Sequence, residues 1–392
     1  MIAAGIRKVP ALKRNLLAAL LALTFATGAA AADAPIVIGA VYNLTGGQEA
    51  LDGPSARGAE LAVDLANASG GVLGRKVVLK IADGASTADG VKAATEMLLA
   101  ETPDIVGLIG LSDTDMVLAA APVAAAQGRV FLTSGATSPL LPQQVPDWLF
   151  LSCFADNVQA AAAAEWAYTA LGARSVAVMF NSKSTYAESL HGYFEARFKE
   201  LGGVVADVVA YAPDEFATKA ATLSSADIVY LAAPPEELAT ALPALRKAGI
   251  LAPVFGGDSF DIGTGWAALG NIGAVYFTTH AYLGADNPNG AALAFRAAFS
   301  GAHPGEDPDA FTALGYDAAR LMMQAVATAG STDPKAVRAA LAATQNFPGA
   351  TGTIGYADGS AIPVKTVAVM AVVGGAARFV ANWKPDKVPP PQ

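Results

Sequence analysis

The chain has 392 residues, 53% hydrophobic and 15% charged, with 25 Lys and Arg against 34 Asp and Glu for a net charge of −9. An acidic chain is repelled by nucleic acid and by anionic membrane surfaces, which argues against both as partners. The single cysteine, Cys153, excludes an intrachain disulfide framework. Its apolar strand context, Trp148 to Phe154, predicts a buried thiol, the alternative being a reactive or dimer-forming one. In chain order, basic Arg7, Lys8, Lys13 and Arg14 come first, then an apolar run from Leu16 to Thr27, then the small residues Ala30, Ala31 and Ala32. That order is a cleaved signal peptide with Asp33 as the expected mature start. The run of about 12 residues falls short of the roughly 20 that a membrane-spanning helix needs. Cleavage removes four basic and no acidic residues and leaves 21 against 34. A soluble protein outside the cytoplasm is expected.

The remaining chain, about 360 residues, is too long for one typical core and implies two lobes. Ile36 to Val41 is an apolar strand that runs into the polar turn Asn43 to Gly47. Leu61, Ala62, Leu65 and Ala66 then recur at helical spacing. Gly70-Gly71 stops that helix, since glycine tolerates the left-handed cap conformation. Val77, Leu79 and Ile81 alternate with Lys76, Val78 and Lys80 as a second strand, completing a βαβ unit. Further strands are predicted at 104–109, 129–133, 174–180, 203–210, 227–232, 253–256 and 274–278. Helices are predicted at 54–68, 87–101, 114–127, 157–171, 185–201, 215–224, 235–248, 288–300, 308–328 and 333–343. The alternation implies an α/β fold, parallel sheets with helices on both faces. Segments 364–373 and 376–383 flank Gly374-Gly375 and read as a hairpin. The Pro-rich end, Pro385 to Gln392, reads as a frayed tail.

The opening block carries more than a fold. Leu44-Thr45-Gly46, Gly58-Ala59-Glu60-Leu61-Ala62 and the run Asn67 to Arg75, with its Gly70-Gly71 and Gly74-Arg75, stand in that order. Together they resemble the opening of periplasmic solute-binding proteins of the branched-chain amino acid type. The resemblance extends over 36–383 and is densest up to about residue 160. It implies a type I periplasmic-binding-protein fold, two α/β sandwiches joined by three crossover strands. These crossovers fall near Phe154 to Asn157, Thr278 to Tyr282 and Gly352 to Asp358. Lobe 1 is then 33–155 with 281–354, and lobe 2 is 156–280 with 355–392.

Strand ends carry the candidate site. Gly110 to Thr114 follows one strand and opens the next helix, where ligands of open α/β sheets bind and where free N–H groups favour an anion. From the residues alone, Ser112 or Asp113 either caps the helix or faces a ligand. The resemblance places Thr114 on the family's carboxylate-binding serine. It sets Asp113 beside the ligand, a departure, because the family carries no acid there. Thr133 to Pro139 is either an ordinary Ser/Thr/Gly loop or, by resemblance, the loop whose Gly135 and Thr137, with Ala136 between them, hold an amino acid's ammonium and carboxylate. Asp258, in Gly257-Asp258-Ser259, is either a turn residue or the acid that pairs with the ammonium; such a charged hydrogen bond is about twice as strong as a neutral one. Gly257-Asp258-Ser259 also fits an esterase motif, which normally lies near a mature N-terminus. Asn181 to Tyr186 matches a drifted Asp-x-x-Tyr-Gly loop and puts Tyr186 in the cleft. Leu51 and Phe311 fall near two aromatic pocket positions, although isolated residues of these types are more often core.

Catalytic signatures are otherwise missing. The sequence has no G-x-S-x-G, P-loop, G-x-G-x-x-G or C-x-x-C motif. Its three histidines, His191, His280 and His303, are scattered and expected at the surface. No cofactor, metal or enzymatic activity is implied, and a secreted hydrolase lacks a nucleophile and base. The resemblance implies a monomer that captures a small solute, an apolar α-amino acid, for an inner-membrane ABC permease. A periplasmic sensor subunit, or an amide, urea or aromatic acid as ligand, stays open.

Overall fold

The computed structural model describes residues 1–2, 34–270, 272–356 and 359–392. All but the first two residues of the expected signal segment, and Asp33, lie outside the described residues, as does Asp358 at the end of the expected third crossover. Strands β1 (Ile36–Tyr42) and β3 (Ile105–Gly110) are buried along their whole length. Such uniformly apolar strands fit only inside a parallel sheet covered on both faces. With β2 (Val77–Asp83), β4 (Phe131–Thr133) and β5 (Leu149–Leu151) they form a parallel five-stranded sheet of order β2-β1-β3-β4-β5. Helices α1 (Glu49–Ala68), α2 (Ala88–Glu101), α3 (Thr114–Ala126) and α4 (Leu141–Gln144) connect these strands.

The chain then crosses to a second sheet. It runs through α5 (Asp156–Thr169), β6 (Ser175–Asn181), α6 (Thr185–Glu200), β7 (Val204–Tyr211) and α7 (Phe216–Ala220), then β8 (Ile228–Ala232), α8 (Leu238–Lys247), β9 (Val254–Gly256) and β10 (Val275–Thr279). A return passage supplies α9 (Gly290–Ala302), α10 (Ala310–Ala329) and α11 (Pro334–Ala342), followed by the small hairpin β11 (Phe347–Gly349) and β12 (Gly352–Ile354). The end of the chain adds β13 (Val367–Val373) and β14 (Ala376–Trp383), antiparallel, at the edge of the second sheet. That sheet has the order β14-β13-β10-β9-β8-β6-β7. Two lobes result, as the chain length predicts, and the hairpin turns at Gly374-Gly375. No helix among the described residues is long and apolar enough to cross a membrane.

Helix α1 starts five residues before its expected start at Pro54. The N–H groups of Leu51 and Asp52 bond to the Gln48 carbonyl and close an extra turn ahead of the proline, with Glu49 and Asp52 favourably placed near the positive helix end. The α1 backbone lies directly against α10. A Cβ on Gly58 would stand 1.8 Å from the Thr312 carbonyl oxygen, and one on Gly315 1.8 Å from that of Ser55. The two glycines therefore set how closely the returning chain seats on the first lobe.

The crossing segments are tied to one another. Tyr356 donates its hydroxyl to the Leu151 carbonyl at 2.8 Å, and Leu151 N–H bonds to Ala361 O at 2.9 Å. Lys365 is buried and donates to Ser152 O at 3.0 Å and to Thr351 Oγ1 at 2.5 Å. Burial pushes its ammonium down to about 8. Phe154 stacks on His280 at 4.1 Å and so joins the first crossover to the second. Cys153 is buried as expected, with its thiol 3.3 Å from Ala136 O, and burial pushes its pKa up.

The tail is docked instead of frayed. Buried Glu165 on α5 accepts hydrogen bonds from Arg197 Nε and Nη2, at 2.8 and 2.6 Å, from Trp383 Nε1 at 3.0 Å, and from the backbone of Asp386 and Lys387. Farther on, Asn157 donates to Pro389 O and Tyr193 meets the backbone of Gln392. A prolines-only reading misses this, because the anchoring carboxylate lies more than two hundred residues upstream.

Two outcomes follow from this packing. Gly58→Ala should destabilise the fold by about 1–3 kcal/mol, the usual range for overpacking, read as a lower urea midpoint with unchanged slope. Glu165→Ala leaves Arg197 with Glu200 alone and should cost about 1–3 kcal/mol, the range for a lost hydrogen bond to a charged group, while exposing the tail to limited proteolysis. Burial raises the Glu165 pKa, but the donors from Trp383, Asp386, Arg197 and Lys387 outweigh it and the net shift is downward. Its stabilisation is therefore complete above the ordinary glutamate pKa and lost as pH falls through the lower folded value. The wild type and Glu165→Ala should converge in stability in acid.

Candidate functional site

Parallel strands deliver their carboxyl ends to one edge of each sheet, and segments that leave those edges meet, Asp115 with Thr185 and Gln48 with Glu236. On the first lobe, β3 ends at Gly110 and Leu111, both with positive φ, 128° and 56°. A leucine in the left-handed region is strained, and the Leu111 carbonyl is held there by the Thr133 hydroxyl at 2.8 Å. The turn hands the chain to α3. Asp113 caps that helix, its Oδ1 accepting from Met116 N–H at 3.1 Å, as the capping alternative requires. Burial, with the neighbouring Asp115, pushes the Asp113 carboxyl up to about 7. Thr114, one residue inside the helix, is buried and its Oγ1 has no hydrogen-bond partner among the described residues.

The 133–139 loop lies beside it. Gly135 N–H bonds to Leu111 O, and a Cβ on Gly135 would come within 2.8 Å of Ser112 Oγ and 3.0 Å of the Phe311 ring. Glycine is needed there to let the loop approach. Thr137 is buried, and its carbonyl accepts from Asp156 N–H at 2.7 Å, at the start of α5. Ala136 and Phe311 are fully buried, and Leu51 packs in the same apolar cluster. Thus Thr114, Gly135, Ala136, Thr137 and Phe311 come together, with Leu51 behind them in the core.

On the second lobe Asp258, just past β9, sits in a buried polar cluster. Its Oδ1 accepts from Gln159 Nε2 at 2.6 Å and from the Tyr186 hydroxyl at 2.9 Å, and its Oδ2 is 2.9 Å from His280 Nε2. Gln159 extends the cluster: its Oε1 accepts from the Thr278 hydroxyl at 2.8 Å and from Asp258 N–H, and its Nε2 also bonds to Asp156 Oδ1. Burial, then the charge of Asp258, pushes Asp156 up to about 8. Gly257 allows this arrangement, because a Cβ there would meet the Tyr186 hydroxyl at 2.3 Å. Asn181, in the drifted loop, serves its own turn, accepting from Lys183 N–H and donating to Glu237.

The sequence reading misses three participants. His280 is fully buried, contrary to the surface position expected of it, and His191 and His303 are half-buried against Phe180 and Phe299. Gln159 and Asp156 lie on a helix so rich in alanine that no polar face marks them. The lobes also touch at the cleft rim. Asp115 of α3 accepts from the N–H and hydroxyl of Thr185, at 3.1 and 2.5 Å, and so caps α6 from across the cleft; Gln48 reaches Glu236 at 3.4 Å. A groove of about 630 Å³ lined by Pro139, Phe150, Arg338 and Ile362 contains none of the expected ligand residues.

Comparison with known proteins agrees with the two-lobed fold. The family described as periplasmic binding protein matches residues 35–377. A Leu/Ile/Val-binding protein homolog of Brucella melitensis is 31% identical over 337 residues, covering 84% of this chain and 89% of that protein. The crystal structure of the leucine binding protein LivK of Thermotoga maritima superposes with a TM-score of 0.79 at 28% identity, covering 90% of this chain and 99% of that one. LivJ of Streptococcus pneumoniae, solved with isoleucine, shares the fold with a TM-score of 0.81 at 24% identity, over 90% of this chain and all of that one. The chain belongs to the periplasmic binding protein family.

Proposed function

We propose that this chain is the solute-capturing subunit of an ABC importer and that it binds an α-amino acid of the leucine, isoleucine and valine class. In this reading residues 1–32 are removed on export and the protein works as a monomer that docks on an inner-membrane permease, without catalysis. The lobes are 33–155 with 281–354 and 156–280 with 355–392. The observation that carries the reading is the pairing of two strand ends. The unpartnered, buried Thr114 hydroxyl at the start of α3, with Thr137, offers donors for a carboxylate, and the Gly135 carbonyl offers an acceptor for the amine. The Asp258 cluster faces it from the other lobe and suits the amine end. Ala136 and Phe311 add apolar contact with Leu51 packed behind them, and Tyr186 closes from lobe 2. The likeness to proteins named for leucine, isoleucine and valine supports the side-chain class.

Calorimetric titration with leucine, isoleucine and valine tests this. Binding of at least one is expected, and ligand at 100 times its dissociation constant should stabilise the protein by about 2.7 kcal/mol. Thr114→Val should weaken it by about 1–3 kcal/mol, through loss of one hydrogen bond to a charged group. The absence of binding to all three would remove the amino acid assignment. Small-angle scattering should show a smaller radius of gyration with ligand, as lobe closure requires.

Stability should also depend on pH. Burial, then the neighbouring Asp115, raises the Asp113 carboxyl from its ordinary 3.8 to about 7 in the folded protein. A carboxyl whose pKa is raised on folding holds its proton in the folded chain and loses it in the unfolded one, so stability should fall as pH rises from about 4 to about 7 and level off above. Asp113→Asn retains a capping side chain and should flatten that part of the profile, read by urea midpoints across pH; an unchanged slope would mean that other groups govern it.

A further inference from the structure

The imidazole of His280 is enclosed on nearly every side. One face stacks on Phe154 at 4.1 Å, and Phe311 meets it edge-on at 5.7 Å. Phe311 in turn lies against Gly135. The ring thus spans from the first-lobe loop to Asp258 in the second lobe. Asp258 decides its tautomer. The Gln159 amide and the Tyr186 hydroxyl both donate to Oδ1, so the carboxylate acts as acceptor, and its Oδ2 takes the Nε2 hydrogen of the imidazole. Nδ1 of the neutral ring then carries a lone pair. It is shut off from water and has no partner among the described residues, and a buried acceptor left unmet is costly. Burial, partly opposed by the hydrogen bond to Asp258, holds the imidazole below its ordinary pKa and favours the neutral form.

We infer that His280 is a specificity-determining residue: its Nδ1 accepts a hydrogen bond from the ligand's 2-amino or 2-hydroxyl group, with Asp258 behind it as a positioning residue. This rests on the reading of the cleft as a site for a carboxylate and a neighbouring donor. It adds that the cleft selects a hydrogen-bond donor more than a positive charge, because three internal donors already occupy Asp258. The ligand class therefore extends to apolar 2-hydroxy acids.

Calorimetry with leucine and its 2-hydroxy analogue, 2-hydroxy-4-methylpentanoate, tests the inference. The wild type should bind both within about tenfold, whereas a direct ion pair to Asp258 would separate them by about 30-fold or more. Two variants divide the role of the ring. His280→Gln can still donate to Asp258 from the Nε2 position but has no acceptor at Nδ1. His280→Asn keeps an acceptor near Nδ1 and loses the donor to Asp258. Weaker binding of both ligands to His280→Gln, by about tenfold, with partial retention in His280→Asn, is expected; thermal melts check that each variant folds. Wild-type affinity in His280→Gln would show that the ring only holds Asp258 and would overturn the inference, as would a 30-fold preference of the wild type for leucine. If one variant fails to fold, the wild-type ratio of the two ligands still decides. Binding of the hydroxy acid without leucine would sink the amino acid reading and leave this inference standing; binding of neither would sink both.

Discussion

A carboxylate taken out of water must be met by donors, and the way Asp258 is met organises the cleft. Its three donors come from separate parts of the chain: Gln159 from the first helix after the hinge, Tyr186 from the first turn of α6, and His280 from the second crossover. Removing any of them would leave part of a buried charge unpaired, which is why such clusters are either complete or destabilising. The cluster fixes the register of α5 against β9 and β10, and it fixes where the second crossover lies. The hinge is therefore not a set of loose linkers. It is two ordered strand ends and a helix start, joined through one acid.

Two further constraints make the lobes rigid enough for closure to be a two-body motion. In the first, the glycine-mediated approach of α1 and α10 welds the returning chain to the opening βαβ unit. In the second, Glu165 collects Arg197, Trp383 and the tail backbone on one carboxylate. Between the lobes the rim contacts are sparse and polar: Asp115 with Thr185, and Gln48 with Glu236. Each is a hydrogen bond of the ordinary kind, with a net contribution of about 0.5–1.5 kcal/mol.

The fold was largely legible in the sequence because its signals are local. Strand β1 is apolar along its length, α1 has a helical apolar face, and glycine ends it; each is read within about twenty residues. The strand-end positions were legible for the same reason: parallel strands end where ligands bind. Side chains recruited over long distances were not. Gln159 reaches Asp258 across 99 positions and Thr278 across 119, and nothing near Gln159 announces this. His280 follows Thr278-Thr279 in a segment that reads as a strand end leaving the lobe, so a solvent position was the simpler expectation. The docking of the tail is not legible because prolines speak only about backbone freedom, whereas Glu165 supplies the anchor. The start of α1 lies ahead of Pro54 because an extra turn forms before the proline, which on sequence alone marks a first turn.

The buried thiol of Cys153 has a practical side. A sulfur sealed beneath the Ala136 carbonyl, with its pKa raised by burial, is poorly reactive toward maleimides and iodoacetamides while the protein is folded. As the chain has no other cysteine, it is chemically silent to such dyes in its native form. A thiol introduced at the exposed rim by Lys183→Cys, two residues before the α6 end that Asp115 caps, would carry a fluorophore at one place only. The molecule is in that sense already built as the scaffold of an optical sensor, with its own closure as the signal.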